Sequence, residues 1–443
     1  MANPDAKRIV TEDSGANRGR YAEQTMAGQN QVHTAGAPVV EAARDLARLT
    51  SLDAFRGLVI LTMIFVNFLA GVSGIPPWAK HMPGKVDGYT FVDLVFPGFL
   101  FIVGVAIPLA QQNRRRRGDS PARLLGHIAS RTAGLLFLGV ILVNEETFST
   151  QATGMSKALW FLLALGSAAV LWTEHPGGLF ATKPRWLFTS RLAALLVLAC
   201  ALMIFRGKAE DGRIVWLQHS WWGILGLIGW SYLNCSLVYL AVRGNPTVLM
   251  GVMGFMIALY IGGRHGLLDW LGPVNNFVGV GEVLGSTSAN VMAGVLVGNL
   301  FVGQPSTRSP GSRLTFMLAF GAGLYFAGTL LRPLHGIIKN QATESYTLVA
   351  AGICCLLFSL FYWLMDVCNL RTWAGFLLPA GRNPLLAYLL PDLITCLFAV
   401  VGLRHLLWPF DSGLPGAINA AALTAVVLLI NRGLTEAGVR LRL

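Results

Sequence analysis

Charge is what this chain has least of. Only 13% of its 443 residues are Asp, Glu, Lys or Arg, against 54% hydrophobic. With a mean hydropathy of +0.57, that leaves too little polar surface to cover a soluble core. Paired cysteines are also missing. Cys200, Cys235, Cys354, Cys355, Cys368 and Cys396 fall mostly inside apolar runs, with no C-x-x-C pair or regular spacing, which argues against both a disulfide framework and a zinc site. No two histidines stand at H-x-x-x-H spacing, so no metal is expected. No apolar stretch follows the basic residues of the first 45 positions, so a cleavable signal peptide is not expected there. That polar segment, rich in Ala, Gly, Asn and Gln, reads as a disordered cytoplasmic tail over 1–45. Nor does any repeat recur at a fixed period, which weighs against a transporter built from duplicated halves.

What is present is a succession of apolar runs, each long enough to cross ~30 Å of hydrocarbon as a helix. They begin near Ala54, Phe91, Leu124, Lys157, Trp186, Trp221, Pro246, Ser286, Leu314, Tyr346, Asn383 and Gly416. The expected fold is all-α: a polytopic membrane protein with about 10–12 transmembrane helices in one bundle, forming a single domain over 46–443. "VVEAARDLARLTSLD" before the first span suits a short interfacial helix. The lipid bilayer is the partner this composition demands, and a homodimer is compatible with it. The net charge of +12 does not point to nucleic acid, because the basic residues sit in short loops and not on an aromatic-interleaved face.

Those loops set an orientation. "QQNRRRRGDSPAR" holds the strongest positive block and is assigned to the cytoplasm. Alternation then gives the inner side Lys183, Arg185, Arg243, Arg308, Arg313, Arg371, Arg432, Arg440 and Arg442, while the outer loop "VNEETFSTQATG" has no Lys or Arg. Both termini are expected in the cytoplasm.

Against this background, "PPWAKHMPGKVDGYTFVDLVFPGFLF" is unusual. It places His81 in an outward loop and Asp93 in the first turn of the second span. An acidic group there can simply complement the helix N-terminus; as an ionisable residue at membrane depth it is also a functional candidate. A hydrogen bond from His81 to Asp93 would fix the imidazole tautomer. In "SLDAFRGLVILTMIFVNF", Asp53 and Arg56 lie at the inner end of the first span. Asn67 follows Arg56 after a rise of roughly 16 Å, which puts it in the outer half of the membrane.

These stretches resemble a family: the transmembrane acyltransferases typified by heparan-α-glucosaminide N-acetyltransferase and its bacterial inner-membrane relatives. "TESYTLVAAG", "YWLMD" and "GRNPLLAYLL" are similar to its C-terminal signatures. The resemblance implies an integral protein of a bacterial inner membrane that moves an acetyl group from cytoplasmic acetyl-CoA to an acceptor, an amino sugar, on the periplasmic side. His81 matches the family's functional histidine and Asn67 the asparagine ending its first conserved helix. "HMPGKVDGYT" is longer than the family's usual spacing, and the element before a later span is blurred into "GVGEVLGSTSAN", so Glu282 is carried over only weakly.

Physical chemistry gives these residues roles. Imidazole can take a proton from an attacking amine or hydroxyl, or accept the acetyl group itself. The Asn67 amide can stabilise charge developing on a thioester oxygen. Acetyl-CoA as co-substrate brings phosphates that need cations. Arg56, oriented by Asp53, and Arg131, Arg191 and Arg382 with the adjacent Asn383 are expected at inner helix ends. Snorkelling anchors are the alternative reading of these arginines. His219, His265, His335 and His405, with Asp269 and Asp411, read as loop residues. Asp392 lies within an apolar run and should face protein or a cavity. The rival readings are a sugar or small-solute transporter, and an enzyme that O-acylates a glycan or lipid-linked sugar.

Overall fold

Short polar residues followed by proline mark where several helices begin. Ser120–Pro121, Asn245–Pro246 and Ser309–Pro310 each place a side-chain oxygen on the free amides of the first turn, with proline where no amide proton is needed. In the computed structural model, which describes residues 49–174, 184–302 and 309–443, twelve apolar helices succeed one another. They are α1 (Thr50–Leu69), α2 (Val95–Arg116), α3 (Pro121–Thr147), α4 (Lys157–Leu171), α5 (Pro184–Ile204), α6 (Ile224–Val242), α7 (Pro246–Arg264), α8 (Ser288–Gly298), α9 (Pro310–His335), α10 (Glu344–Tyr362), α11 (Pro384–Val400) and α12 (Gly413–Glu436). A 3₁₀ turn, Phe91–Leu94, leads into α2, and a π-helical stretch, Val280–Thr287, leads into α8.

Ten of these segments, with their flanking turns, are long and apolar enough to cross a membrane, and α4 and α11 are shorter apolar helices. The protein is an all-α polytopic membrane protein, and its helices start close to the positions expected from the apolar runs. Two ribbons of two-residue strands are the departure from purely helical structure among the described residues: β1 (Thr173–Glu174) with β4 (Arg440–Leu441), and β2 (Gly207–Lys208) with β3 (Ile214–Val215). The expected tail over 1–45, and the interfacial segment up to residue 48, lie outside the described residues.

The bundle of Ser51–Leu443 is organised around α8, every residue of which is buried. Small residues permit this. A Cβ on Gly104 would collide with the Val291 carbonyl, and one on Gly294 with the Phe101 carbonyl, so α2 and α8 touch backbone to backbone. Two connections meet at one end of the bundle. The first runs from Ala70 to Thr90 between α1 and α2. The second, Gly336–Thr343, closes the α9–α10 hairpin; its neck is fixed where His335 Nδ1 meets Glu344 Oε1 at 2.9 Å.

Candidate active site

The α1–α2 connection folds back so that His81 reaches the start of the next helix. Its Nδ1 lies 2.7 Å from Asp93 Oδ1. The other carboxylate oxygen accepts the backbone amides of Met82 at 3.1 Å and Thr90 at 3.0 Å, and the Thr90 hydroxyl at 3.2 Å. Asp93 is fully buried, while the imidazole is about half exposed, at 51%. The carboxylate satisfies the helix N-terminus and also hydrogen-bonds the histidine. With a carboxylate as partner, Nδ1 carries the proton and Nε2 keeps its lone pair. The Tyr346 hydroxyl donates to the Asp93 carbonyl at 2.6 Å, locking this turn against α10.

A cation not expected from the sequence stands beside the pair. Lys339 Nζ, from the α9–α10 connection, is 2.9 Å from His81 Nδ1 and 3.5 Å from Asp93 Oδ1. Burial pushes the Lys339 ammonium below the ordinary lysine range, against the pull of Asp93. The two connections are also clasped together: Asp87 accepts Arg332 Nε at 2.9 Å and the Ile337 amide at 2.7 Å, and Gly88 donates to the Ile337 carbonyl at 3.0 Å. Its hydrogen bond from Ile337, with help from Arg332, holds the Asp87 carboxyl below the usual carboxylate range. Asp87 belongs to the lengthened stretch "MPGKVDGY". No local signal in the sequence singles out Lys339, since its partner His81 lies 258 positions away.

His81, Asn67 and Lys339 line one cavity of about 860 Å³, whose walls include Trp221, Trp222 and Phe277, the amides of Asn275 and Asn340, and the carboxylates of Glu146 and Glu282. Asn67 is in the last turn of α1 and exposed to this space. Asn290 in α8 is only 2% exposed. Its Nδ2 makes a long 3.4 Å bond to the Pro97 carbonyl, and its Oδ1 has no partner among the described residues. A buried orphan acceptor on a cavity wall is a place for a ligand N–H, and nothing in the sequence singles this asparagine out. Glu282 lines the same cavity from the π-helical stretch.

The expected phosphate-binding set does not come together in one place. Arg56 Nη1 contacts Asp53 at 3.2 Å and the Gly381 carbonyl at 3.0 Å, which brings it to the exposed Arg382. Asn383 spends its amide on Thr435, Val439 and Leu441, pinning the C-terminal strand. Arg131 stacks over Tyr232 at 4.8 Å and shares a separate small cavity with Arg114, His127 and Gln111. Arg191 donates to the Thr173 carbonyl at 3.1 Å, in a third location. Among the remaining histidines, His219 stacks on Phe277, His265 lies near His335, and His405 lines a second cavity of about 430 Å³ that also touches Asn67.

Residues 48–271, just over half of the chain, match a family model described as "Domain of unknown function (DUF5009)". A stretch of 99 residues, 22% of the chain, is 43% identical to heparan-alpha-glucosaminide N-acetyltransferase of Homo sapiens and 42% identical to that of Mus musculus. The matched stretch spans 14% of the length of each of these relatives.

Proposed function

The chain belongs to the DUF5009 family, and from that premise we propose that it is a transmembrane acetyltransferase. In this reading it acetylates an amino sugar on the periplasmic side of a bacterial inner membrane, with acetyl-CoA drawn from the cytoplasm. The observation that carries the reading is the His81–Asp93 pair on the wall of a large cavity, with His81 Nδ1 at 2.7 Å from a fully buried carboxylate. The names of the two relatives with partial identity support the reaction type.

Each residue has its own share of the chemistry. Asp93 holds the imidazole by Nδ1, leaving Nε2 to take the proton that the acceptor amine loses as its nitrogen attacks the thioester carbonyl, and to return that proton to the CoA sulfur as the C–S bond breaks. Asn67 donates an amide N–H to the carbonyl oxygen on which negative charge develops. When bound, acetyl-CoA supplies the activated acyl group as a thioester. Two features of the chain fit such a co-substrate. The orphan Oδ1 of Asn290 suits an amide N–H of a pantetheine arm, and cations stand at the opposite ends of the helices. Arg131, with Arg114 and His127 around one cavity, is the cluster that would hold its phosphates, while Arg56 is engaged by Asp53 and Gly381 elsewhere.

Purified protein incubated with acetyl-labelled acetyl-CoA and a panel of amino sugars tests the reading. Labelled product is expected from wild type and lost, by about 10²-fold or more, in folded His81→Ala. Label retained on protein would identify an acetyl-histidine. Counterflow of unmodified sugar without any acetyl transfer would favour a transporter instead, and label found only on hydroxyl oxygens would make the enzyme an O-acyltransferase.

A further inference from the structure

The α9–α10 connection places one ammonium against a histidine that already has its partner. Lys339 Nζ is 2.9 Å from His81 Nδ1 and 3.5 Å from Asp93 Oδ1. Nδ1 gives its proton to Asp93 at 2.7 Å, so it offers no lone pair to Lys339. The ammonium is therefore held by the carboxylate and stands beside the ring as a like-charge neighbour whenever the ring gains a second proton. Among the described residues, the ionisable groups near the imidazole come from several elements, Tyr346 of α10 among them through its bond to the Asp93 carbonyl. Asp93 comes from the turn before α2, Lys339 from the α9–α10 connection, Glu282 from the π-helical stretch, Glu146 from the end of α3, and Lys80 is the preceding residue. Of these, Asp93 and Lys339 are in direct contact with the ring.

The placement of Lys339 is built into the fold. The Asp87 clasp to Arg332 and Ile337 ties the two connections side by side, and the Gly84 backbone lies against the Asn340 side chain. An ammonium on a free loop would leave the cavity for water; here the backbone is tied down within reach of the pair.

We propose that Lys339 is a positioning residue for His81: by sharing Asp93 with the imidazole it disfavours the doubly protonated ring and keeps Nε2 open toward the cavity. The purpose of that arrangement rests on the acetyltransferase reading, in which an unprotonated Nε2 accepts the proton of the acceptor. The charge relation does not rest on it, and can be measured with neither acyl donor nor acceptor present.

Diethyl pyrocarbonate carbethoxylates unprotonated imidazole, and the half-exposed His81 is open to it. The full-length protein in detergent is treated between pH 5 and 8.5, and the rate at the His81 peptide is followed by mass spectrometry. In Lys339→Met the midpoint of the His81 rate curve is expected to move up by about one pH unit, the scale of one contacting charge in partly solvated surroundings. Lys339→Arg restores the wild-type midpoint, and the His219 and His265 peptides in the same digests do not move. A folded Lys339→Met whose His81 midpoint is unchanged, or lower, overturns the proposal. Should Lys339→Met fail to fold, Lys339→Gln, which keeps a donor for Asp93, is read by the same criterion. Absence of acetyl transfer by the wild-type protein, with the shift in Lys339→Met intact, would reject the function and keep the inference; acetyl transfer by wild type with no shift would do the opposite.

Discussion

At the scale of single residues, what matters is which polar atoms already have partners. Asp93 has every accessible lone pair engaged, so replacing it leaves hydrogen bonds unmade at His81, Met82 and Thr90 together. Asp93→Asn presents an amide N–H toward some of these donors, and is expected to lower kcat by about 10²- to 10⁴-fold, the range of general-base catalysis, with acceptor KM changing much less. Asn67 is different, being free to face the cavity. Asn67→Ala should cost about 10²- to 10³-fold in kcat, as for a lost oxyanion donor, and a loss confined to KM would contradict that role. Asn67 and Asp93 stand out in the chain as polar residues in apolar runs, and His81 by its place in the loop before Asp93 and by the family resemblance. Lys339 does not, because its meaning comes from a contact with His81, 258 positions away. Asn290 escaped for a related reason, since nothing local distinguishes a satisfied interhelical amide from an orphaned one.

At the scale of elements, the connections decide more than the helices do. Apolar length, a local signal, located the helices and their starts to within a few residues, and the Ser–Pro and Asn–Pro pairs at several starts are equally local marks. The order of helices around the bundle is not local. That is why the four arginines, expected at one level of the membrane, end up in three separate places. The Asp87 clasp makes a prediction here. Its carboxyl is held below the usual carboxylate value of 3.8, so the unfolded state binds its proton first as pH falls. The clasp's contribution is therefore complete above about pH 4 and is lost as pH drops through the folded value. The difference in apparent Tm between wild type and Asp87→Asn should be constant from pH 8 to 5 and close toward pH 3; a difference that grows on acidification would contradict the clasp. The α2–α8 contact makes another. Gly294→Leu places side-chain atoms where the Phe101 carbonyl stands and, at a cost of about 1–3 kcal/mol or more, should sharply reduce the monodisperse fraction in size-exclusion chromatography, whereas Gly126→Leu, in open space, should not.

At the scale of the whole molecule, transfer across a membrane requires two chemically different ends. Arg114 to Arg117 terminate α2 at one end, and the His81 and Lys339 connections lie at the other, tied by Asp87. In a background with the native cysteines replaced, Lys85→Cys should react with an impermeant maleimide from the periplasmic side and Arg117→Cys only after the membrane is opened; the reverse pattern would invert the orientation. If His81 joins an acyl donor from one compartment to an acceptor in the other, the two must react while kept apart. Proteoliposomes loaded with acetyl-labelled acetyl-CoA, with glucosamine outside and orientation selected by external labelling, put that to the test. N-acetylated sugar is expected in the outer solution, dependent on His81 and absent when acetyl-CoA is supplied only outside. Equal product from folded His81→Ala, or product only when donor and acceptor share the outer compartment, would contradict transfer through this site.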